Sequence, residues 1–417
     1  MRMMHKDAQT ILRGAIDANM PEANVRAALK KHKFTEDGDI FVVAIGKAAW
    51  TMANAAYCQL GFKITAGIVI TPYGYSKGDI PRMEIYEASH PLPDQNSLDA
   101  TQKVMDMVHK LKARDEVVFL VSGGGSSLFE KPLSPLTLED LKNVDDQLIK
   151  SGADIVEINM IRKRLSQVKA GRFARLCEPA KLFTLILSDV LSDRVDTIAS
   201  GPEIADESTN FDALNVIKKY DIQISPEVKK CLEIETPKQV DNVEIQIIGS
   251  VRLFCESVAK IAESLGYAST IMTTQLSCHA RDAGNMLAAI ARQIGLDKYS
   301  IQRPCALIFG GETVVHVTGS GKGGRNQEIA LAAAAGIEGL DGLAIFSIAS
   351  DGIDGPTDVA GAIVDGMTLA RLRDKKIRAS KALDNNDSYT ALKMVNSLIF
   401  TGPTGTNVND VSVILVG

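Results

Sequence analysis

No two of the six cysteines, at positions 58, 177, 231, 255, 278 and 305, stand at Cys-x-x-Cys spacing. Scattered thiols in a large chain without a secretory leader read as small buried residues of a reducing compartment, which argues against a disulfide scaffold. Cys278-His279 with Cys305 comes nearest to a zinc cluster and lacks ligand spacing. No apolar run approaches the ~20 residues of a membrane span. The first ten residues, MRMMHKDAQT, hold no apolar signal core. A soluble, cytoplasmic protein without a membrane partner is expected. A basic excess is missing too: 46 Lys and Arg face 51 Asp and Glu, a formal charge of −5. Gripping nucleic acid is therefore excluded as the main business of the chain. There is no internal repeat and no low-complexity tract. No Lys-Ser or Lys-Thr follows a G-x-x-x-x-G, which excludes a Walker A loop.

What is present is a balance of 45% hydrophobic and 23% charged residues over 417 positions, enough chain for two or three domains. Short apolar runs at 40–45, 66–70, 116–121 and 182–187 alternate with amphipathic stretches, among them 47–60 and a helix that Asp94 caps and that runs to about Leu111. Runs without polar alternation predict a parallel sheet covered on both faces. Composition shifts near 222–242, and the pattern restarts with strands at 244–248, 305–309, 313–317, 344–348 and 411–416 and helices at 252–265 and 279–294. Segment 313–317 follows its neighbour too closely for a crossover, so an antiparallel pair and a mixed second sheet are expected. The reading is two α/β domains, 1–235 and 240–417: a Rossmann-like parallel α/β/α sandwich followed by a mixed-sheet domain, with the active site in the cleft between them.

Ligands of open α/β sheets bind beyond the carboxyl ends of strands, and several such loops carry Gly, Ser, Thr and charge. Ser122-Gly123-Gly124-Gly125-Ser126-Ser127 follows a buried strand; its glycines let amides approach a phosphate or carboxylate, or serve a tight turn. Gly319-Ser320-Gly321-Lys322-Gly323-Gly324-Arg325 matches G-x-G-x-x-G, with Asp341 near the expected distance. Its cations suit a triphosphate better than a dinucleotide pyrophosphate. Lys47 follows Gly46 at the start of a helix, where a cation meets the helix's positive end, and is better placed for an anion than for stability. Asp189, in Ser188-Asp189-Val190-Leu191-Ser192-Asp193-Arg194, is a candidate proton acceptor or a helix cap. Glu312 and the group Asp351, Asp354 and Asp358 lie in turns suited to Mg²⁺ or to ordinary Asp-Gly turn chemistry. Arg162, Lys169 and Arg172 share one face of a helix of about 3.6 residues per turn, by default a solvated stripe. The loop 401–407 adds Thr404 and Asn407 without charge.

These loops together, with Gly310-Gly311-Glu312-Thr313, Gly323-Gly324-Arg325-Asn326-Gln327-Glu328 and Asn385-Asn386-Asp387-Ser388, resemble the class II glycerate kinases, whose carboxyl-terminal portion is the MOFRL domain. The resemblance runs from Gly46-Lys47 to Asp410. It implies ATP-dependent, Mg²⁺-assisted phosphorylation of D-glycerate at the 2-hydroxyl, and it puts Lys47 and Arg325 at the active site. On that footing ATP phosphates rest on Ser122, Gly123, Gly124, Gly125 and Ser126, with Gly321, Lys322, Thr404 and Asn407 as further nucleotide contacts. Mg²⁺ sits near Glu312 or Asp351, Arg325 pairs with the glycerate carboxylate with Arg162 and Lys169 in support, Lys47 balances the moving phosphoryl charge, and Asp189 takes the proton. A homodimer is plausible. Alternatives are a kinase forming 3-phosphoglycerate and an NAD(P)H-dependent hydroxypyruvate reductase built on the 319–324 loop.

Overall fold

The computed structural model describes residues 2–191, 194–296 and 301–417. The chain divides into two compact units, Pro21–Ser188 with Asp193–Ile248, and Gly249–Gly417 with Met1–Met20 and Asp189–Ser192. Sequence had set its domains at 1–235 and 240–417; in the structure the first helix, Arg2–Ala18, belongs with the carboxyl-terminal residues. Among the described residues no helix is long and apolar enough to cross a membrane.

The first unit is built on β1 (Ile40–Ile45), β2 (Ile64–Pro72), β3 (Met83–Ala88), β4 (Glu116–Val121), β5 (Lys181–Leu187) and β6 (Val243–Gly249), in the order β3-β2-β1-β4-β5-β6. The pairings β1 with β2, β1 with β4, β2 with β3 and β4 with β5 are parallel. β4 is buried at all six positions, as a strand covered on both faces must be, and its sequence EVVFLV shows no polar alternation. The expected Asp94 cap forms: its carboxylate accepts from the Ser97 amide at 3.0 Å, and the helix Gln95–Val108 follows. Strand order reverses between β1 and β4, so their two carboxyl-end loops open side by side at a topological switch point. One expectation fails here. Segment 244–248, expected to open the second domain, is instead the edge of the first sheet, drawn there beside the Leu182 amide, which donates to Asn242 at 2.8 Å.

The second unit's sheet comprises β7 (Ala268–Leu276), β8 (Cys305–Gly311), β9 (Leu343–Ala349), β10 (Gly361–Asp365), β11 (Leu398–Ile399) and β12 (Asp410–Val416), in the order β11-β10-β9-β12-β8-β7. The sheet is mixed, but not because of 313–317. That segment forms no strand; Val314 makes only an isolated bridge to His279. Both edges of β8 are already occupied, by β7 and by β12, so no ladder is left for it. The mixing comes from β12, antiparallel to β8 on one side and to β9 on the other. Register places Asp410 opposite both Gly311 and Ala349. The exits of β8 and β9 and the entry of β12 therefore meet at one end of the sheet.

Candidate functional site

In the first unit the switch point joins two of the predicted loops. The Lys47 amide donates to the Gly123 carbonyl at 2.9 Å, and the Ala48 amide donates to Ser122 Oγ at 3.0 Å. Gly46 makes this approach possible: its φ is +110, and a Cβ there would lie 2.3 Å from Ser122 Oγ. The Lys47 side chain is exposed. Beside it stands His90, which sequence reading missed; its Nδ1 lies 3.0 Å from Ser127 Oγ. Burial first, then the Lys47 charge, hold the His90 imidazole below its ordinary value. Gly124 is left-handed, and Gly125–Leu128 form one helical turn, anchored by Phe129 packed edge-on to Phe173 at 5.1 Å. Ser126 Oγ lies 3.1 Å from Ser200 Oγ; Ala199 and Ser200 hold φ of +48 and +60, local strain of the kind that collects at working sites.

The basic stripe does not exist as expected. The helix Ile155–Leu165 ends before Lys169, and Arg172 starts another. Arg172 Nη1 donates to the carbonyls of Lys163 and Ser166 at 2.8 and 2.6 Å, closing the first helix's end. Lys169 is buried in a pair with Glu130, and Arg162 Nε lies 3.0 and 2.9 Å from the two Asp145 oxygens. Ser126, Glu130, Asp145, Arg162 and Lys169 nonetheless line one pocket, with Leu92 at its side. Its Arg162 and Lys169 cations are already paired.

In the second unit Arg325 opens the helix Arg325–Gly336. Its guanidinium forks onto Asp410, with Nη2 2.9 Å from Oδ1 and Nε on Oδ2, while Nη1 lies 2.9 Å from Glu312 Oε1. Three of its five N–H groups are thereby committed, and the side chain remains 33% exposed. Burial disfavours the cation, but the hydrogen bond and charge of Asp410, with Glu312, raise its pKa above the ordinary value. Burial pushes Asp410 up to about 7, with Arg325 pulling the other way. Asn409 Nδ2 donates to Glu312 Oε2 and to the Asp189 carbonyl, each at 3.0 Å. The Asp189 backbone, Glu312 and Arg325 are thus brought together through Asn409 and Asp410. Ser192 and Asp193 of the same predicted loop lie outside the described residues.

The 319–324 loop reads differently in the structure. Gly319 and Ser320 donate to the side-chain oxygens of Asn386 and Asn385, and Lys322 donates to Asp387, at 2.9, 3.1 and 3.1 Å; the Gly321 amide takes the Asn385 carbonyl at 2.8 Å. A Cβ on Gly321 would lie 2.4 Å from Asp387, so this glycine serves packing. The helix start behind the loop is occupied as well. Asp354, 1% exposed, accepts from the Asn326 and Gln327 amides at 3.1 and 2.9 Å. Burial raises its pKa, and these amides oppose the rise. A dinucleotide pyrophosphate needs those same amides, so the fingerprint match is formal. Of the expected contacts there, only the exposed Lys322 side chain, 4.6 Å over the Tyr389 ring, keeps a group to offer.

Asp351 Oδ1 accepts from the Ile353 amide at 3.0 Å, and its carbonyl accepts from the Thr404 amide at 3.0 Å. Thr404 Oγ1 donates to Ser350 at 2.6 Å. Asn407 is half-buried, two residues before Asn409. Among the described residues no group of three His, Cys, Asp or Glu side chains is placed to hold a metal. Mg²⁺ needs only one or two carboxylates besides phosphate and water. Glu312 has both oxygens engaged, whereas Asp351 has one on an amide, and so Asp351 fits the ion better. Asn409 and Glu130 were invisible as site residues because their partners are remote in sequence. Asp410 was missed as the partner of Arg325 for the same reason, 85 residues separating the two.

Residues 7–233 match the family described as a domain of unknown function, DUF4147, and residues 305–410 match the MOFRL family. The chain is 49% identical over 413 residues to the D-glycerate 2-kinase of Thermotoga maritima, covering 99% of this chain and 98% of that one. It is 42% identical over 395 residues to the glycerate 2-kinase of Pyrococcus horikoshii, covering 92% and 89%. The crystal structure of the Thermotoga maritima glycerate kinase matches with a TM-score of 0.97 at 49% identity, over 100% of both chains.

Proposed function

The chain belongs to the glycerate kinase family with a carboxyl-terminal MOFRL domain, and from that membership we propose that it transfers the γ-phosphoryl group of ATP to the 2-hydroxyl of D-glycerate, giving 2-phosphoglycerate and ADP. The observation that carries this is end-to-end likeness to a D-glycerate 2-kinase, joined to an arginine braced by two carboxylates beside a loop bearing Asp189.

The transfer asks the protein for positioning and charge more than for covalent work. Arg325, its plane fixed by Asp410 and Glu312, presents its remaining N–H groups to glycerate's carboxylate. Asp189 accepts the 2-hydroxyl proton as that oxygen bonds to the γ-phosphorus and the bond to the β-phosphate oxygen breaks. To the exposed Lys47 ammonium we assign the balancing of charge on the phosphoryl oxygens, and to Ser122 to Ser126 with Lys47 the phosphate-facing loop. Arg162 and Lys169, each already paired, hold that loop's neighbourhood rather than the substrate. Asp351 is the carboxylate we assign to Mg²⁺; bound there with nucleotide, the ion offsets phosphate charge. A homodimer is consistent with this reading and does not enter it.

The reductase alternative loses its footing, because Asp354 and the 385–387 segment take the amides a dinucleotide would use. The test is to incubate the protein with D-glycerate, ATP and Mg²⁺ and resolve the products by ³¹P NMR. A 2-phosphoglycerate resonance is expected. A 3-phosphoglycerate resonance would reverse the substrate's orientation, and oxidation of NADH with hydroxypyruvate in place of any phosphoglycerate would overturn the reading.

A further inference from the structure

Asn409 sits in the left-handed region, with φ of +61, and is 4% exposed. Asn tolerates that backbone better than most residues do, because its short polar side chain bonds locally. Here it bonds over a distance. An amide nitrogen carries two hydrogens, and those of Asn409 meet the Asp189 carbonyl and Glu312 Oε2, each at 3.0 Å. Its own carbonyl accepts from the Ser350 amide at 3.1 Å. The next residue, Asp410, forks Arg325. One residue therefore links the exit of β8, the exit of β9, the entry of β12 and the segment bearing Asp189.

The orientation of the amide is dictated by its surroundings. Flipped, its oxygen would face a carboxylate and a carbonyl, two acceptors with no proton between them. In the orientation found, Oδ1 is buried with no side-chain or backbone partner among the described residues. What the site uses is the donor pair. Asp at this position has the same outline and no donors, and it would set a second carboxylate against Glu312. Ser and Thr bring one donor and a shorter reach.

We propose that Asn409 is a positioning residue of the phosphoryl transfer, fixing the Asp189 segment against the Glu312–Arg325 pair. This rests on the kinase reading above. The donor pair sets where the proton acceptor lies relative to the carboxylate anchor, and a displacement of about 1 Å between such groups lowers turnover about a hundredfold. Because Glu312 keeps its bond to Arg325, and Arg325 keeps its fork to Asp410, the loss of Asn409 leaves the anchor in place and loosens the base.

The experiment compares Asn409→Gly, which keeps the left-handed backbone, and Asn409→Asp, which keeps the outline, with the wild type. We expect kcat to fall about a hundredfold in both, with KM for ATP and for D-glycerate each within about threefold of the wild type. Amide exchange at residues 188–191 should quicken in both variants, while exchange in β8 and β12 stays unchanged. Turnover near wild-type in either variant, or a KM rise accounting for the whole loss, overturns the proposal. If Asn409→Gly unfolds, Asn409→Asp decides on the same criteria. If the wild type itself makes no phosphoglycerate, the kinase reading falls and takes the catalytic part of the proposal with it. Unchanged exchange at 188–191 in an active enzyme sinks the anchoring alone.

Discussion

Replacing Arg325 by Ala should do two separable things. The first is structural. Asp410 is 6% exposed, and the fork from Arg325 favours its charged form against burial. Breaking a buried pair from one side costs about 3–5 kcal/mol, and because Arg325 is 33% exposed the low end applies. A loss of about 3 kcal/mol lowers the unfolding midpoint of a unit this size by about 6–12 °C. The deficit should grow with pH: without its cation the Asp410 carboxyl is pushed up still further by burial, and a raised carboxyl pKa contributes stability only below its unfolded value, lost as pH climbs. The second effect is chemical, loss of the carboxylate anchor, with kcat/KM for D-glycerate down by about 10³ or more. The double variant Arg325→Ala with Asp410→Asn separates the two. Removing the orphaned charge should restore urea stability to within about 1 kcal/mol of the wild type, as the coupling of a buried pair requires, while activity stays lost. If Arg325→Ala is as stable as the wild type, the bracing argument is wrong. If the double variant regains turnover, Arg325 does not touch substrate.

Lys47→Ala should lower kcat by about 10²–10³, the loss seen when one preorganised donor is removed, with the unfolding midpoint unchanged because the side chain is exposed. Chelation by EDTA should abolish turnover and Mg²⁺ restore it; Asp351→Asn should raise the Mg²⁺ needed for half-maximal rate about tenfold while leaving the fold intact. Glu203 is fully buried, its carboxylate has no hydrogen-bond partner from another residue among the described ones, and burial pushes it up to about 8 against the pull of its own backbone amide. Its contribution to stability is present below the ordinary glutamate value and is lost as pH rises through about 8, so Glu203→Gln should match the wild type near pH 5 and exceed it by up to about 4 kcal/mol at pH 8 in urea titrations. A constant difference across that range would refute the assignment of a buried neutral acid.

Sequence showed most of the interior of both sheets because strands covered on both faces read as unbroken apolar runs, as β1, β4, β9 and β12 do; β10, GAIVD, is buried throughout and was missed, its apolar run being only three residues between Gly361 and Asp365. Two edge strands carry no such mark: β3, MEIYEA, and β7, ASTIMTTQL, are half-exposed along their length and were passed over, whereas the edge strand β6, whose isoleucines alternate with polar residues, was read at 244–248. Segment 313–317 was misread for the converse reason. Its valines suit a strand, but whether β8 has an edge to give is a property of the assembled sheet. Lys47 and Arg325 stood out because each is a cation at the start of a helix, where a structural role would not put it. The pairs Lys169 with Glu130 and Arg325 with Asp410 span 39 and 85 residues, and no local pattern links such partners. The glycines of the 319–324 loop misled because thinness needed for packing and thinness needed for a ligand look alike in sequence.

The position of β12 has a consequence for the order in which the chain acquires its form. The strand at the middle of the second sheet follows the other described strands in chain order, and β8 and β9 have no ladder with each other until it enters between them. On the ribosome, two long apolar strands must therefore wait with unpaired edges, the state most prone to pairing with a stranger. Asn409 and Asp410 enter with that final strand, so the arginine clamp forms in the same event that completes the sheet. A chain in which β12 has not docked thus has no arginine clamp; that arrangement arrives with the completed sheet or not at all.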